Sequence, residues 1–354
     1  MSLQGTPVLI AGIVAVLLSA VLIAVIWERG GRLRLLLRSA AVAVALLSVT
    51  ATVLVQLNRM TEAYSLAEEP ESAAPEQTAS TDTDSGDSDS DSDAPAPVAQ
   101  KTGSQVRKFT VPGKASGLNL TMYVYLPAAY QAGGKQRFPV IQAFHGYPGS
   151  PRTWLKKLKV QERLDAEIAA GRMSPTVVLF PFQTPEQLLD TECTNMQGGP
   201  QTETFLTVDV PAFAKAKFRI HTDRTGWGLI GYSAGAYCVS SLLLRHPQLY
   251  SAGASMSGLS GPAINVGDGK EATEHDVVWR LKNLPRPAVA LWIGWAKDEQ
   301  AIRRDSELIA AHATAPIRLT TAVVERGGHS HAVWRQMLPP AFDWLSAQLA
   351  RPHP

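Results

Sequence analysis

The chain opens on two long apolar runs, residues 7–27 and 39–57, neither of which contains a charged side chain. A helix rises ~1.5 Å per residue, so about 20 apolar residues cross the ~30 Å hydrocarbon layer of a bilayer. The pattern predicts an N-terminal transmembrane helical hairpin within residues 1–58. The connection "ERGGRLRLLLR" sets Arg29, Arg32, Arg34 and Arg38 against Glu28 alone. Short Arg-rich loops stay cytoplasmic, which turns both ends of the hairpin outward. A cleaved signal peptide fits less well, because the start "MSLQGT" is uncharged and a second span follows.

Over residues 59–104 the apolar pattern vanishes. Residues 60–100, including "STDTDSGDSDSDSDAPAPVAQ", hold eleven Asp or Glu and no Lys or Arg. Such a segment buries too little apolar surface to offset chain entropy, and it reads as a disordered acidic Ser/Asp/Pro-rich linker. As a flexible chain it spans roughly 35 Å. Its Asp-x-Asp spacing suggests calcium, but the glycine hinge and closing bidentate glutamate of a calcium loop are missing at loop spacing.

From residue 105 to 350 the pattern alternates between strand and helix. "LNLTMYVYLP" (118–127) alternates like a half-buried strand. The runs at 138–144, 176–182, 226–231, 288–295 and 318–325 are short and apolar, as strands of a buried sheet are. Between them "TWLKKLKVQERLDAEIAAG", "DEQAIRRDSELIAAHA" and "AVWRQMLPPAFDWLSAQL" carry apolar residues at helical spacing. This alternation predicts an α/β domain with a mostly parallel sheet and helices on both faces.

The formal net charge of +2 conceals an asymmetry, since from Lys101 onward 28 Lys plus Arg face 19 Asp plus Glu, a net of +9. These charges are dispersed, with no basic stripe, so no nucleic acid partner is expected. An anionic membrane or cell-wall polymer remains compatible with them.

The chemistry centres on "GLIGYSAGAY" (228–237), where Ser233 stands between a strand and a helix. Strand, tight turn and helix around Gly-x-Ser-x-Gly form the nucleophile elbow of the α/β-hydrolase fold. That fold orders its residues Ser, acid, His. "VVERGGHSHAVW" supplies His329 in a glycine-rich loop after the last strand, with His331 as rival, whereas His246, His312 and His353 read as exposed helix or tail residues. The acid is expected after "AVALWIGW", where Asp298 lies nearer the strand and Glu299 is the alternative. Two backbone N–H groups should bind the oxyanion, those of Ala234 and of Tyr147 in "AFHGYPGS". His145 in that loop reads as a structural hydrogen-bonder.

With these motifs in order, residues 105–350 resemble the putative-esterase family of esterase D, feruloyl esterases and secreted mycolyltransferases. "TETFLTVDVPAFAKAKFRIHTDRTGWGLIGYSAGAYCVSSLLLRHPQLYSAGASMSG" and "GGHSHAVWRQMLPPAFDWL" carry the likeness. It implies Ser233 as nucleophile, His329 as base, Asp298 or Glu299 as acid and Ala234 and Tyr147 as oxyanion donors. Glu203 and Thr204 fall on a helix start near the site and read as structural. His331 stands where relatives often carry an aromatic residue, and the mycolyltransferase acid is a Glu.

Cys193 and Cys238 are the two cysteines of the chain. Outside the cytoplasm such a pair tends to oxidise, and a Cys193–Cys238 disulfide is expected to pin a loop beside the site. No metal-ligand spacing is present and no cofactor is required. Residues 258–285 exceed a simple connection and could wall an acyl cleft.

The combined expectation is a membrane-anchored extracytoplasmic serine acyl hydrolase or acyltransferase. Its partners would be an ester or acyl-lipid substrate and, for transfer, a sugar acceptor. A catalytically silent envelope-binding module and a serine peptidase are the competing readings.

Overall fold

The computed structural model describes residues 6–27, 34–61, 103–132, 134–186 and 188–354. The chain divides into two compact units, Met1–Ala73 and Ala74–Pro354.

In the first unit two helices, Thr6–Trp27 and Arg34–Thr61, run antiparallel. A Cβ on Gly12 would lie 2.8 Å from Thr52 Oγ1 near one end, while at the other the Arg38 guanidinium sits 4.6 Å over the Trp27 ring and donates to the Trp27 carbonyl. Leu35–Leu54 is long and apolar enough to cross a membrane, and Ile10–Val25 is a shorter apolar stretch. The second helix begins earlier than the expected span, so Arg34 and Arg38 are helical rather than loop residues. Arg29, Arg32 and nearly all of the expected linker lie outside the described residues.

In the second unit, eight strands among the described residues form one sheet in the order β1-β2-β4-β3-β5-β6-β7-β8. They are β1 (Gln105–Pro112), β2 (Asn119–Leu126), β3 (Val140–Phe144), β4 (Val177–Pro181), β5 (Trp227–Tyr232), β6 (Ala252–Met256), β7 (Ala290–Ala296) and β8 (Arg318–Val324). β1, β2 and β4 pair antiparallel, and every pair from β4 through β3 to β8 is parallel. Alternate side chains of a strand serve opposite faces, so each central strand feeds two cores. Leu229 of β5 and Leu291, Ile293 and Trp295 of β7 join one core with Phe205, Val239, Leu242, Leu281 and Ile302. Ile230 and Tyr232 of β5 and Trp292 of β7 join the other with Trp154, Leu164, Trp334, Phe342 and Leu345.

Several elements depart from the pattern. β2 is buried on both faces from Met122 to Leu126, because Met122, Val124 and Leu126 join one core and Tyr123 and Tyr125 the other; the Tyr125 hydroxyl donates to Asp165 at 2.7 Å. β8 is a half-exposed edge strand, not a buried one. The single helix expected over 153–171 is two, Pro151–Lys156 and Val160–Ala169, broken at Lys159 with φ 51°. Trp154 and Leu158 before the break and Val160 and Leu164 after it all join one core.

Candidate active site

Ser233 terminates β5 and precedes the helix Ala234–Arg245. Its φ of 58° lies in the left-handed region, which a non-glycine residue adopts only when its surroundings force it. Those surroundings are tight. A Cβ on Gly231 would lie 2.1 Å from the Gly235 carbonyl oxygen, and one on Gly235 would lie 2.3 Å from the Phe144 oxygen. Both glycines of Gly-x-Ser-x-Gly are therefore needed for β3, β5 and the helix to meet. The Ser233 N–H donates to the Met256 carbonyl of β6 at 3.0 Å, and Tyr232 packs between Trp154 and Trp334 at 5.1 and 4.5 Å. These contacts hold the serine on a sharp turn.

His329 reaches this serine from the loop after β8. Its Nε2 lies 2.7 Å from Ser233 Oγ, and its Nδ1 lies 2.5 Å from Glu299 Oε1. With Nδ1–H directed at the carboxylate, Nε2 is left to accept the serine hydroxyl proton. The Trp334 ring stands perpendicular to the imidazole at 4.9 Å. The Glu299 side chain is 13% exposed and that of His329 38%, so the carboxylate is shielded while the imidazole is open to solvent.

The carboxylate that meets His329 Nδ1 is that of Glu299, the alternative from sequence, and not that of Asp298, which the sequence favoured. Asp298 turns to the loop backbone, where its two oxygens accept from the N–H groups of Gly327 and Gly328 at 2.9 and 3.0 Å. Those bonds hold its carboxyl below the usual carboxylate range. His331, the rival base, opens the helix His331–Gln348 and packs on Trp334 at 5.2 Å. Burial and the charges of Lys157, Arg335 and His329 push its pKa down.

The loop after β3 runs against the elbow, since a Cβ on Gly146 would lie 3.0 Å from the Ser233 Cβ. This loop carries Tyr147, whose hydroxyl donates to the Leu188 carbonyl at 2.8 Å. Ala234 begins the helix, where an N–H has no carbonyl one turn behind it. His145 is fully buried. Its Nδ1–H donates to Gly146 O at 2.8 Å, while the Gln183 amide binds its backbone N–H and carbonyl at 3.0 and 2.7 Å. Burial, opposed by the Gly146 carbonyl, lowers its pKa to about 4, so it is a neutral structural group.

Cys193 and Cys238 are joined in a disulfide. It fastens the loop after β4 to the helix that follows Ser233. In this loop lies Glu192, which sequence reasoning did not single out. Its Oε2 accepts from the Ala263 N–H at 2.7 Å and so links the loop to the 258–285 insertion. Burial, then the nearby Asp190 charge, raise its pKa to about 8 against the pull of the Ala263 N–H. Nothing in "DTECTN" signals this burial in advance. Glu203 is also buried, and it receives Arg245 at 2.9 Å and His246 at 2.7 Å. Although burial raises its pKa, those two partners bring it below the usual range. His246, expected as an exposed helix residue, is half-buried on this carboxylate.

An eight-stranded, mostly parallel sheet with a strand–serine–helix turn at its centre defines an α/β-hydrolase fold. The chain belongs to the putative esterase family, which it matches over residues 113–345. An uncharacterized protein of Corynebacterium glutamicum is 25% identical over 246 residues, which cover 63% of this chain and 56% of that protein. This chain thus matches little more than half the length of that relative. Among solved structures, a ferulic acid esterase superposes with TM-score 0.63 at 18% identity, covering 70% of this chain and all of the other. S-formylglutathione hydrolase from Agrobacterium tumefaciens does so with 0.60 at 16%, covering 70% and 97%. MPT51 (FbpC1) of Mycobacterium tuberculosis does so with 0.55 at 14%, covering 70% and 99%. At these identities the likeness establishes the shared fold.

Proposed function

We propose that the chain is a membrane-anchored serine acyl hydrolase or acyltransferase that works through an acyl-enzyme. The observation that carries this is the line Ser233 Oγ, His329 Nε2 and Nδ1, Glu299 Oε1, closed by contacts of 2.7 and 2.5 Å. Ser233 Oγ attacks the ester carbonyl as His329 Nε2 takes its proton, and Glu299 stabilises the imidazolium that forms. The N–H groups of Ala234 and Tyr147 bind the oxyanion. His329 then returns the proton to the departing alcohol. Water or a sugar hydroxyl, deprotonated by the same imidazole, releases the acyl group in the second half. No cofactor enters either half.

The substrate class is an ester, with acyl lipids of the cell envelope the preferred donors for an anchored enzyme. The anchor is a two-span hairpin with both ends outside the cytoplasm. Its support is the apolar stretch Leu35–Leu54, the Arg-rich connection before it and the Cys193–Cys238 disulfide, which suits an oxidising compartment.

The test offers the full chain in detergent a fluorophosphonate, and then ester donors with and without trehalose. A covalent adduct that disappears in Ser233→Ala is expected, with free acid marking hydrolysis and acylated sugar marking transfer. An adduct of equal yield in Ser233→Ala would sink the reading.

A further inference from the structure

The two glycines before His329 create a mechanical problem. Gly327 and Gly328 have φ of 131° and 56°, and a Gly-Gly pair loses more conformational freedom on ordering than any other pair. A base hung on such a hinge would wander unless the hinge were held. The Gly327–Gly328 peptide plane is held from both sides: the Gly328 N–H donates to Asp298 Oδ1 at 3.0 Å, and the Gly327 carbonyl accepts from Ser330 Oγ at 2.8 Å. The preceding N–H, of Gly327, donates to Asp298 Oδ2 at 2.9 Å.

We infer that Asp298 is a positioning residue for His329, a carboxylate clamp on two consecutive backbone amides that fixes where the imidazole meets Ser233. Its neighbour Glu299 holds the ring while Asp298 holds the backbone that carries the ring. The clamp has a rigid base, because Lys297 N–H donates to Val324 O at 2.9 Å and Glu299 N–H to Ala296 O at 3.2 Å. Both acids thus leave β7 in register with β8, and the loop after β8 folds back onto them. A carboxylate suits the task because, ionised, it only accepts, and it offers one oxygen to each N–H. Asp298 is exposed on the surface, so its value lies in geometry rather than in bulk stability.

This inference rests on the proposed acyl transfer through Ser233, and its test separates the two. In the full chain, Asp298→Ala should lower kcat for ester hydrolysis about 10- to 100-fold, with KM within about twofold, since a small misplacement of a base costs that much. Asp298→Asn keeps one carbonyl acceptor and presents an amide to the other N–H, and it should fall between Asp298→Ala and the parent chain. The low-field proton between His329 Nδ1 and Glu299, followed by NMR, should broaden in Asp298→Ala. Turnover in Asp298→Ala within twofold of the parent, or a sharp unshifted low-field proton, overturns the positioning role. So does a loss that appears in KM alone. Ser233→Ala is measured alongside: if it retains turnover, the reaction assignment fails and the positioning role with it. Loss of turnover in Ser233→Ala with full turnover in Asp298→Ala overturns the clamp alone.

Discussion

Asp298 and Glu299 leave β7 side by side, yet their carboxylates serve different parts of one loop, the first its backbone and the second the His329 ring. A shielded carboxylate on Nδ1 fixes the tautomer, and exchanging it for an amide leaves the shape while reversing that preference. Glu299→Gln should therefore lower kcat by roughly 10³-fold or more with little change in thermal stability. Steady-state ester hydrolysis beside a melting curve checks this. A loss no larger than that of Asp298→Asn would return the acid role to Asp298. The sequence shows the pair, the strand before it and the glycines before His329. It does not show which of two adjacent carboxylates turns inward, because that depends on how the β8 loop folds back, a contact 29 or more residues away along the chain. Ser233 and His329 were legible because a local pattern, strand–glycine–serine–helix or strand–glycine–glycine–histidine, marks each.

The elements were legible in proportion to how apolar they are. β3, β4, β5 and β7 are short apolar runs and stand where the periodicity expects them. β6, "AGASM", is made mostly of small residues that pack beneath the helix Ala234–Arg245, and no hydrophobic signal announces it. The acidic loop after β4 was equally silent. It is tied to the helix after Ser233 by Cys193–Cys238 and to the 258–285 insertion by Glu192. The Glu192 pKa is raised from 4.5 to about 8, so the folded state binds its proton more tightly than the unfolded chain does. Stability from this group is complete below about pH 4.5, declines as pH rises and is lost above about pH 8. Glu192→Gln keeps an acceptor for the Ala263 N–H without the charge. Its melting temperature should match the parent near pH 5 and exceed it by several degrees at pH 8.5, a gap of at most a few kcal/mol at about 1.4 kcal/mol per pKa unit. Thermal unfolding at the two pH values measures it, and a constant difference between them would refute a protonated Glu192.

At the scale of the whole chain, the division into two units is written in composition alone: apolar runs without charge, then an acidic stretch, then a basic α/β unit. Composition cannot by itself say which side of a bilayer the second unit occupies, and the asymmetry of Arg supplies the argument. The disulfide makes a clean test available, because it occupies both natural cysteines, so an introduced cysteine is the sole free thiol. Ser85→Cys, in the acidic stretch, should react with a membrane-impermeant maleimide on intact cells. Gly31→Cys, between the two helices, should react only after permeabilisation. The opposite pattern would place the α/β unit in the cytoplasm, where the glutathione poise would keep Cys193 and Cys238 reduced. Reaction of both positions in intact cells would refute a hairpin that spans the membrane. The expected pattern would set the Ser233 site on the side where envelope esters are found.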